Sequence, residues 1–421
     1  MTATMTAPPR AAGLLGQRDF RLLWVGETTS SLGSSVTGVA LPLVALTTLH
    51  AGVLAVSLLT ATAWLPWLLI GLPAGAWVDR LPRRPVMMAC DVLSMMVFAS
   101  VPIAVWLGVL TMTQLLVVAL LAGTAKVFFA TAYRAFVPTL VEAEHLVEGN
   151  SRLQGAESAA QVAGPGLGGL LAQAFGAANG LLADAASFAV SLGCLRQIEA
   201  REAPAPRMRR PLRHEIAEGL RFVARDRLLR IFMIFGGASN LVLTGYGAIV
   251  VAFLIRGLGL SSAVAGLLIA VGSVGGVLGA FSAPWLGRRL GTARALLLCK
   301  VGSTPLGLLI PLAGPGWRLG LFGVGAMTMV GGIVAGNVIS GGFMQAYCPR
   351  ELMGRITTTM QVVNFGAIPL GAVLGGFLVD RVGFRPALWL LFAGFVAFSV
   401  ILLAAPIRGQ RDLPTHPPEA S

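Results

Sequence analysis

The side chains of this 421-residue chain with the most evident chemistry are charged groups inside long apolar stretches, foremost Glu27 and Lys126. A charge at membrane depth costs about 2.5–3.5 kcal/mol on insertion scales, so it needs a partner or a function. A buried Glu27 carboxyl group would bind and release protons, whereas one near the headgroups would pair with Arg18 or Arg21. Lys126 is the only basic residue predicted to lie clearly within a span. It either binds an anionic ligand group or pairs with Glu27.

Two further acidic residues enter the apolar stretches. Glu157 follows Arg152 by five residues and is expected to balance it or to join a basic cluster near residue 80. Asp184 lies early in another stretch, near its outer end, where we expect a solvated carboxylate.

Other kinds of reactive site lack the residues that they need. The four cysteines and four histidines are scattered, without CxxC or HExxH spacing, so we predict no metal site and no thiol chemistry. The sequence contains no Walker A motif and no convincing nucleophile–base pair. We therefore predict no catalytic residue, no bound cofactor and no enzymatic activity.

The composition predicts the elements that position these charges. Hydrophobic residues make up 56% of the chain and charged residues only 12%, about half the charge of a soluble domain. Because a membrane helix needs about 20 apolar residues, the chain is predicted to be an all-α polytopic membrane protein with twelve spans. They lie near 22–49, 53–78, 86–108, 113–137, 153–176, 178–195, 229–255, 262–286, 293–313, 318–346, 356–379 and 384–406.

A basic segment, 196–228, interrupts this pattern after the sixth span. It predicts an amphipathic linker on an anionic inner leaflet. The predicted organisation is a cytoplasmic N-terminus (1–21), a first six-helix half (22–195), the linker (196–228), a second half (229–406) and a cytoplasmic tail (407–421).

The distribution of basic residues predicts the orientation. The termini and the even-numbered connections hold 26 of the 31 Lys and Arg residues, with Lys300 counted in the connection before span nine. Cytoplasmic loops collect such residues, so both termini are predicted to be cytoplasmic. The net charge of +13 is explained by the membrane, and no basic, aromatic-rich soluble domain indicates nucleic-acid binding.

An internal repeat supports two pseudo-symmetric halves. Residues 146–176 resemble residues 352–383, about 205 positions later, and 75–84 has a weaker echo in 283–294. Parallel repeats of this kind occur in transporters whose substrate site lies between the halves, near the bilayer midplane.

The segment GAWVDRLPRR, 75–84, resembles the loop signature of the major facilitator superfamily between helices two and three. That resemblance implies twelve helices around a central cavity and a conformational gate that favours one access state. The usual glycine is Pro82 here, and Gly287 stands at the second-half position of the aspartate. The gate residues that the resemblance implies are Gly75, Asp79, Arg80, Arg83 and Arg84. We add Asp91, at the start of span three, because we expect it to pair with these arginines.

The run GPGLGG in span five resembles the superfamily's exporter signature, and its residues are Gly164, Pro165, Gly168 and Gly169. Close packing of any membrane helix is the structural alternative. The opening RDFRLLWVGE, 18–27, resembles the drug:proton antiporter-3 branch, which includes enterobactin-exporter-like and macrolide-efflux-like proteins. Ala119 stands where other antiporter branches carry an intramembrane arginine, so their proton relay is not implied.

The resemblance implies an exporter of a hydrophobic or amphipathic small molecule by alternating access in the bacterial inner membrane. The implied energy source is proton antiport, with Glu27 as the coupling residue and no obligate protein partner. Uptake of a nutrient or siderophore by the same fold is the alternative, and a non-transporting receptor is a further one. Besides Lys126, the polar candidates for the substrate cavity are Asn240, Tyr246, Asn337, Gln345, Gln361 and Asn364.

Overall fold

The computed structural model describes residues 14–78, 80–142, 145–199, 220–348, 353–405 and 407–414. Twelve long helical segments account for most of these residues, and the described ranges contain no β-strand. Each segment overlaps one predicted span, which confirms the all-helical membrane fold. Their bounds are Arg18–Thr47 (α1), Val53–Val78 (α2), Arg83–Trp106 (α3), Met112–Leu140 (α4), Leu146–Phe175 (α5), Ala177–Gln197 (α6), Arg227–Ala252 (α7), Ser262–Leu290 (α8), Thr292–Leu312 (α9), Leu319–Tyr347 (α10), Met353–Val382 (α11) and Phe384–Val400 (α12).

Within the described residues, eleven of these segments are long and apolar enough to cross a membrane. The twelfth, α5, falls short because its first half carries Glu148, Arg152 and Glu157 and its second half carries two glutamines, a proline and several glycines. Its 30 residues correspond to about 45 Å of helix, and it packs lengthwise against α1 and α8. The least apolar of the twelve helices, α5, therefore lies between two neighbouring helices, α1 and α8.

The repeat detected in the sequence appears as one helix crossing used in both halves. In the first half, a Cβ atom added to Gly168 of α5 would lie 2.9 Å from the backbone oxygen of Val36 in α1. In the second half, an added Cβ on Gly375 of α11 would collide with the backbone oxygen of Gly245 in α7. The offset between the two glycines matches that of the repeat. Small residues allow such backbone contact between membrane helices.

The two halves meet along two seams, α5 with α8 and α2 with α11. We call the side on which α1 begins and α12 ends the terminal side. In both seams the close contacts lie toward the opposite side. Gly169 contacts Gly266, near the end of α5 and the start of α8. Gly376 contacts Ser57, near the end of α11 and the start of α2. The contacts described here therefore join the halves on the side opposite the termini.

Two helices change their winding. The last turn of α7 continues as a π-helix over Phe253–Gly257. Helix α9 begins as an α-helix, continues as a π-helix over Leu298–Gly302 and ends as a 3-10 helix over Thr304–Leu312. Pro305, at the second residue of the 3-10 segment, has no backbone N–H to donate to an α-helical hydrogen bond. Residues 200–219 of the predicted linker lie outside the described residues.

Candidate functional site

Glu27 lies on α1, about 13 Å along the axis from the first residue of that helix. Its side chain is half-buried, and its Oε2 atom is buried without a hydrogen-bond partner among the described residues. Arg18 instead pairs with Glu199 at 2.5 Å, and Arg21 donates to a backbone carbonyl of the preceding turn. These contacts favour a buried carboxyl group over a headgroup anchor.

The surroundings of Glu27 hold further charges. The charges of Lys126 and Glu157 act on its carboxyl group, and Glu27 in turn acts on Asp91 of α3. We call Glu27, Asp91 and Glu157 the acidic cluster. The narrow pocket beside Glu27, between α1, α3, α4 and α6, is lined by Leu22, Leu23, Gly26, Met87, Phe129, Ser191, Cys194 and Leu195.

Asp91 belongs to this cluster rather than to the basic loop. Its side chain is 1% exposed, and neither carboxylate oxygen has a hydrogen-bond partner within the described residues. The Ser191 hydroxyl of α6 lies beside it. The expected pairing of Asp91 with Arg80, Arg83 and Arg84 is therefore not supported, because Asp91 is about 12 Å along α3 from Arg83.

The prediction that Asp184 is solvated is wrong. Asp184 is fully buried in the contact between α6 and α1. The Thr37 hydroxyl donates to one carboxylate oxygen at 2.5 Å, and Ser187 donates to the other at 3.1 Å. Gly33 of α1 faces the same atoms, and an added Cβ there would lie 2.5 Å from Asp184 Oδ1. Two hydroxyl groups thus supply the polar partners that burial requires.

Lys126 of α4 is exposed, and it forms no ion pair with Glu27 in the described contacts. Its charge acts on both Glu27 and Asp184 from a distance. Tyr133, two turns further along α4, lies in the field of Glu27 and Glu157. Lys126 is thus an exposed cation of the first half, whereas Asp91 and Asp184 are buried and Glu27 is half-buried.

The predicted gate is described only in part. Asp79 lies outside the described residues, and Gly75 lies in the last turn of α2. Arg80 is exposed, whereas Arg83 is buried at the start of α3. Arg84 donates from Nε to the backbone oxygen of Leu195 at 2.7 Å and from Nη2 to that of Arg196 at 2.6 Å. This arginine therefore stabilises the C-terminus of α6, where helix carbonyls lack internal partners.

The GPGLGG run contributes to two packing contacts. Gly164 and Gly168 face Ser35 and Val36 of α1, within the first half. Gly169 faces the opposite way, and an added Cβ would lie 3.0 Å from the Gly266 Cα of α8. The run therefore joins a helix of its own half to a helix of the other half.

The polar cavity candidates occupy different environments. Asn240 donates to the Gly236 carbonyl of its own helix at 3.2 Å. The Tyr246 ring packs 5.2 Å from that of Phe392, inside the second half. Asn364 lies against Gly236, and its Oδ1 atom is buried without a hydrogen-bond partner in the described contacts.

The other three candidates differ in exposure. Gln345 is exposed near the end of α10, and Gln361 is half-buried on α11. Asn337 is exposed on α10 and accepts a hydrogen bond of 2.8 Å from Lys300 Nζ. In the described contacts, Asn337 is thus the one of these six candidates that lies against a charged side chain.

Lys300 was assigned from the sequence to a loop, and the structure corrects this. It lies in the π-helical turn of α9, about 12 Å from the start of that helix, and is 8% exposed. Its position eight residues into the predicted span 293–313 was the available signal. The chain contains two lysines, and both lie within membrane helices.

The opposite side carries a polar contact between the halves. Arg256, in the π-helical end of α7, donates to the backbone oxygen of Leu46 at 2.8 Å and to that of Ala51 at 2.8 Å. Gln173 of α5 accepts from the backbone N–H of Ala263 at 3.2 Å. Arg256 directly follows the predicted span 229–255, and no sequence pattern marks its role because its partners are backbone atoms distant in sequence.

Comparison with known proteins agrees with this arrangement. Residues 11–418 match the family described as "Transmembrane secretion effector". The chain is 28% identical over 411 residues to the multidrug efflux pump Tap of Mycolicibacterium fortuitum, covering 94% of this chain and 98% of that protein. It is 21% identical over 404 residues to macrolide efflux protein A of Streptococcus pyogenes, covering 94% of this chain and 97% of that protein.

The fold resembles the crystal structure of the nucleoside transporter NupG with a TM-score of 0.75 and 12% identity, covering 92% of this chain and 98% of that one. The matched family and these relatives are membrane transporters and not enzymes. The chain belongs to the transmembrane secretion effector family, within the major facilitator superfamily.

Proposed function

We propose that this protein exports hydrophobic or amphipathic small molecules across the bacterial plasma membrane by alternating access, driven by proton antiport. The observation that carries the proposal is the buried, unpartnered carboxylate oxygen of Glu27 within the acidic cluster. The relatives named as a multidrug efflux pump and a macrolide efflux protein support export as the direction of transport.

Glu27 suits proton coupling because of where it lies. An ionised carboxylate at membrane depth is costly unless it is paired, and Oε2 of Glu27 has no partner in the described contacts. Protonation removes that charge, so proton binding is coupled to whichever access state exposes Glu27 to water. Lys126 lies within electrostatic reach of Glu27. Its positive charge would attract Glu27 when the carboxyl group is ionised, and this attraction would be lost when Glu27 is protonated.

The seams between the halves suit alternating access. They close on the side opposite the termini through Gly169 with Gly266, Gly376 with Ser57 and the hydrogen bonds of Arg256. Opening that side requires these contacts to separate while those within each half persist. The basic loop residues Arg80 and Arg83, with Asp79 and Gly75, form the proposed gate of the terminal side. The positive charge of the connections supports a cytoplasmic location for that side.

A cluster of three aromatic rings between the halves supports a hydrophobic or amphipathic substrate. Trp64 and Trp67 of α2 lie 5.9 and 5.2 Å from the ring of Phe365 in α11, across one seam. Half-buried aromatic rings at a junction of the halves offer flat apolar surface for a drug-sized molecule.

Dye efflux from preloaded cells tests the proposal. Wild type, Glu27→Gln and the control Glu142→Gln, which makes the same change at an exposed carboxyl group, are compared with and without a protonophore. We expect efflux by wild type and Glu142→Gln that collapses with protonophore, and no coupled efflux by Glu27→Gln. Protonophore-sensitive efflux by Glu27→Gln would place coupling elsewhere, and no efflux by wild type would overturn broad export.

A further inference from the structure

Lys300 is a buried cation with little to neutralise it. Its ammonium group donates to Asn337 Oδ1 at 2.8 Å and lies 5.2 Å from the centre of the Phe235 ring of α7. An ammonium group carries three N–H donors, and this one hydrogen bond is formed with a neutral acceptor. In the described contacts, no carboxylate forms an ion pair with it.

The sequence explains why the second half cannot supply a counter-charge at this depth. Residues 229–406 contain two acidic residues, Glu351 and Asp380. Glu351 falls in the connection before α11, and Asp380 lies in the last turn of α11, at the far end of the membrane from the start of α9. The acidic groups of the protein's interior therefore belong to the first half.

The local structure holds the buried Lys300 side chain against α10. The π-helical turn Leu298–Gly302 shifts the side chain relative to regular α-helix, and π-turns often mark functional sites. The chain of Lys300 lies along Gly336, where an added Cβ would be 2.7 Å from its Cγ. The ammonium group thereby reaches Asn337, which is exposed. The cation is thus one hydrogen bond away from an exposed side chain of α10.

We propose that Lys300, held by Asn337, binds the anionic group of an amphipathic substrate, such as a carboxylate or sulfonate, in the wall of the second half. This assignment rests on the proposed export function and narrows its substrate class to molecules that join an apolar body to a negative group. The Phe235 ring provides an apolar surface beside the charge. Two of the three ammonium donors have no partner in the described contacts, and they suit the two oxygens of a carboxylate.

Matched probes test the charge preference directly. Pyrenebutyrate and pyrenebutanol share an aromatic body and differ in charge, and their binding to the purified full chain in lipid nanodiscs is measured by fluorescence titration. We expect wild type to bind pyrenebutyrate about tenfold more tightly than pyrenebutanol, the scale of a charge-assisted hydrogen bond. Lys300→Met should remove that preference, because it weakens pyrenebutyrate binding much more than pyrenebutanol binding.

Two further variants keep the test decisive. Asn337→Ala, at an exposed position, should reduce the preference, and Arg408→Met, which removes an exposed positive charge from the tail, should retain it. Equal affinity of wild type for the two probes, or an equal loss of both in Lys300→Met, would overturn the assignment. Dye efflux by the same variants reports the export function separately, so failure of one proposal is distinguishable from failure of the other.

Discussion

The guanidinium group of Arg256 in α7 donates a hydrogen bond of 2.8 Å to the backbone oxygen of Leu46 in α1. With its second bond to Ala51, this arginine links the second half to the end of the first helix. Carbonyl groups at a helix C-terminus lack internal partners, so they accept such a donor readily. The contact stabilises the state that is closed opposite the termini.

Replacement of Arg256 should open that side. We expect Arg256→Gln to shift the population several-fold toward the state open opposite the termini, because hydrogen bonds from a charged donor are lost. Spin labels at His50→Cys and Ser261→Cys, both exposed, report the separation once the four buried native cysteines are replaced. The control is Arg381→Gln, whose guanidinium lies 5.1 Å from the centre of the Phe377 ring of its own helix. An unchanged distance distribution in Arg256→Gln would show that the contact is incidental.

A single methyl group at the α5–α8 seam should impair transport. A Cβ on Gly169 would collide with the backbone oxygen of Ser262, and backbone atoms cannot move aside as side chains do. We expect Gly169→Ala to lose most efflux while Gly155→Ala, on the same helix with open space around it, retains it. Efflux and membrane abundance are measured together. Equal efflux by the two variants would contradict backbone contact at this seam.

The contact between α1 and α6 should be sensitive to volume at Gly33. An added Cβ there meets Ser187 and Asp184, whereas one at Gly38, on the same helix, meets open space. Overpacking costs about 1–3 kcal/mol, so Gly33→Ala should lower the unfolding temperature in detergent and Gly38→Ala should not. If both variants melt like wild type, the packing around Asp184 is looser than described.

Removal of the Arg84 side chain should destabilise the end of α6. Its two hydrogen bonds to backbone oxygens of Leu195 and Arg196 are charge-assisted, and about 1.5–3 kcal/mol is typical of such bonds. We expect Arg84→Ala to lower the unfolding temperature and to raise hydrogen exchange over residues 190–197. Arg80→Ala, at an exposed residue of the same loop, provides the comparison. Unchanged exchange in Arg84→Ala would remove the structural role of this arginine.

The sequence by itself determined the helices, because the length of an apolar run is a local property of the chain. All twelve predicted spans correspond to helical segments, and the repeat of 146–176 in 352–383 appears as the same glycine-mediated crossing in each half. The loop motif and the GPGLGG run identified the superfamily, which the matched family bears out. These signals depend on residue type and spacing, which folding leaves unchanged.

The tertiary structure alone decided what each charged residue meets. Asp91 and Asp184 lie near span ends in sequence, yet rotation about the helix axis turns both into contacts with α6 or α1. From the sequence, Lys300 was counted with a connection, whereas in the structure it lies in the π-helical turn of α9 and donates to Asn337. Arg256 binds backbone oxygens, which every residue possesses and no sequence pattern marks. Composition sets which helices form, whereas side-chain partners depend on the rotation and crossing of whole helices.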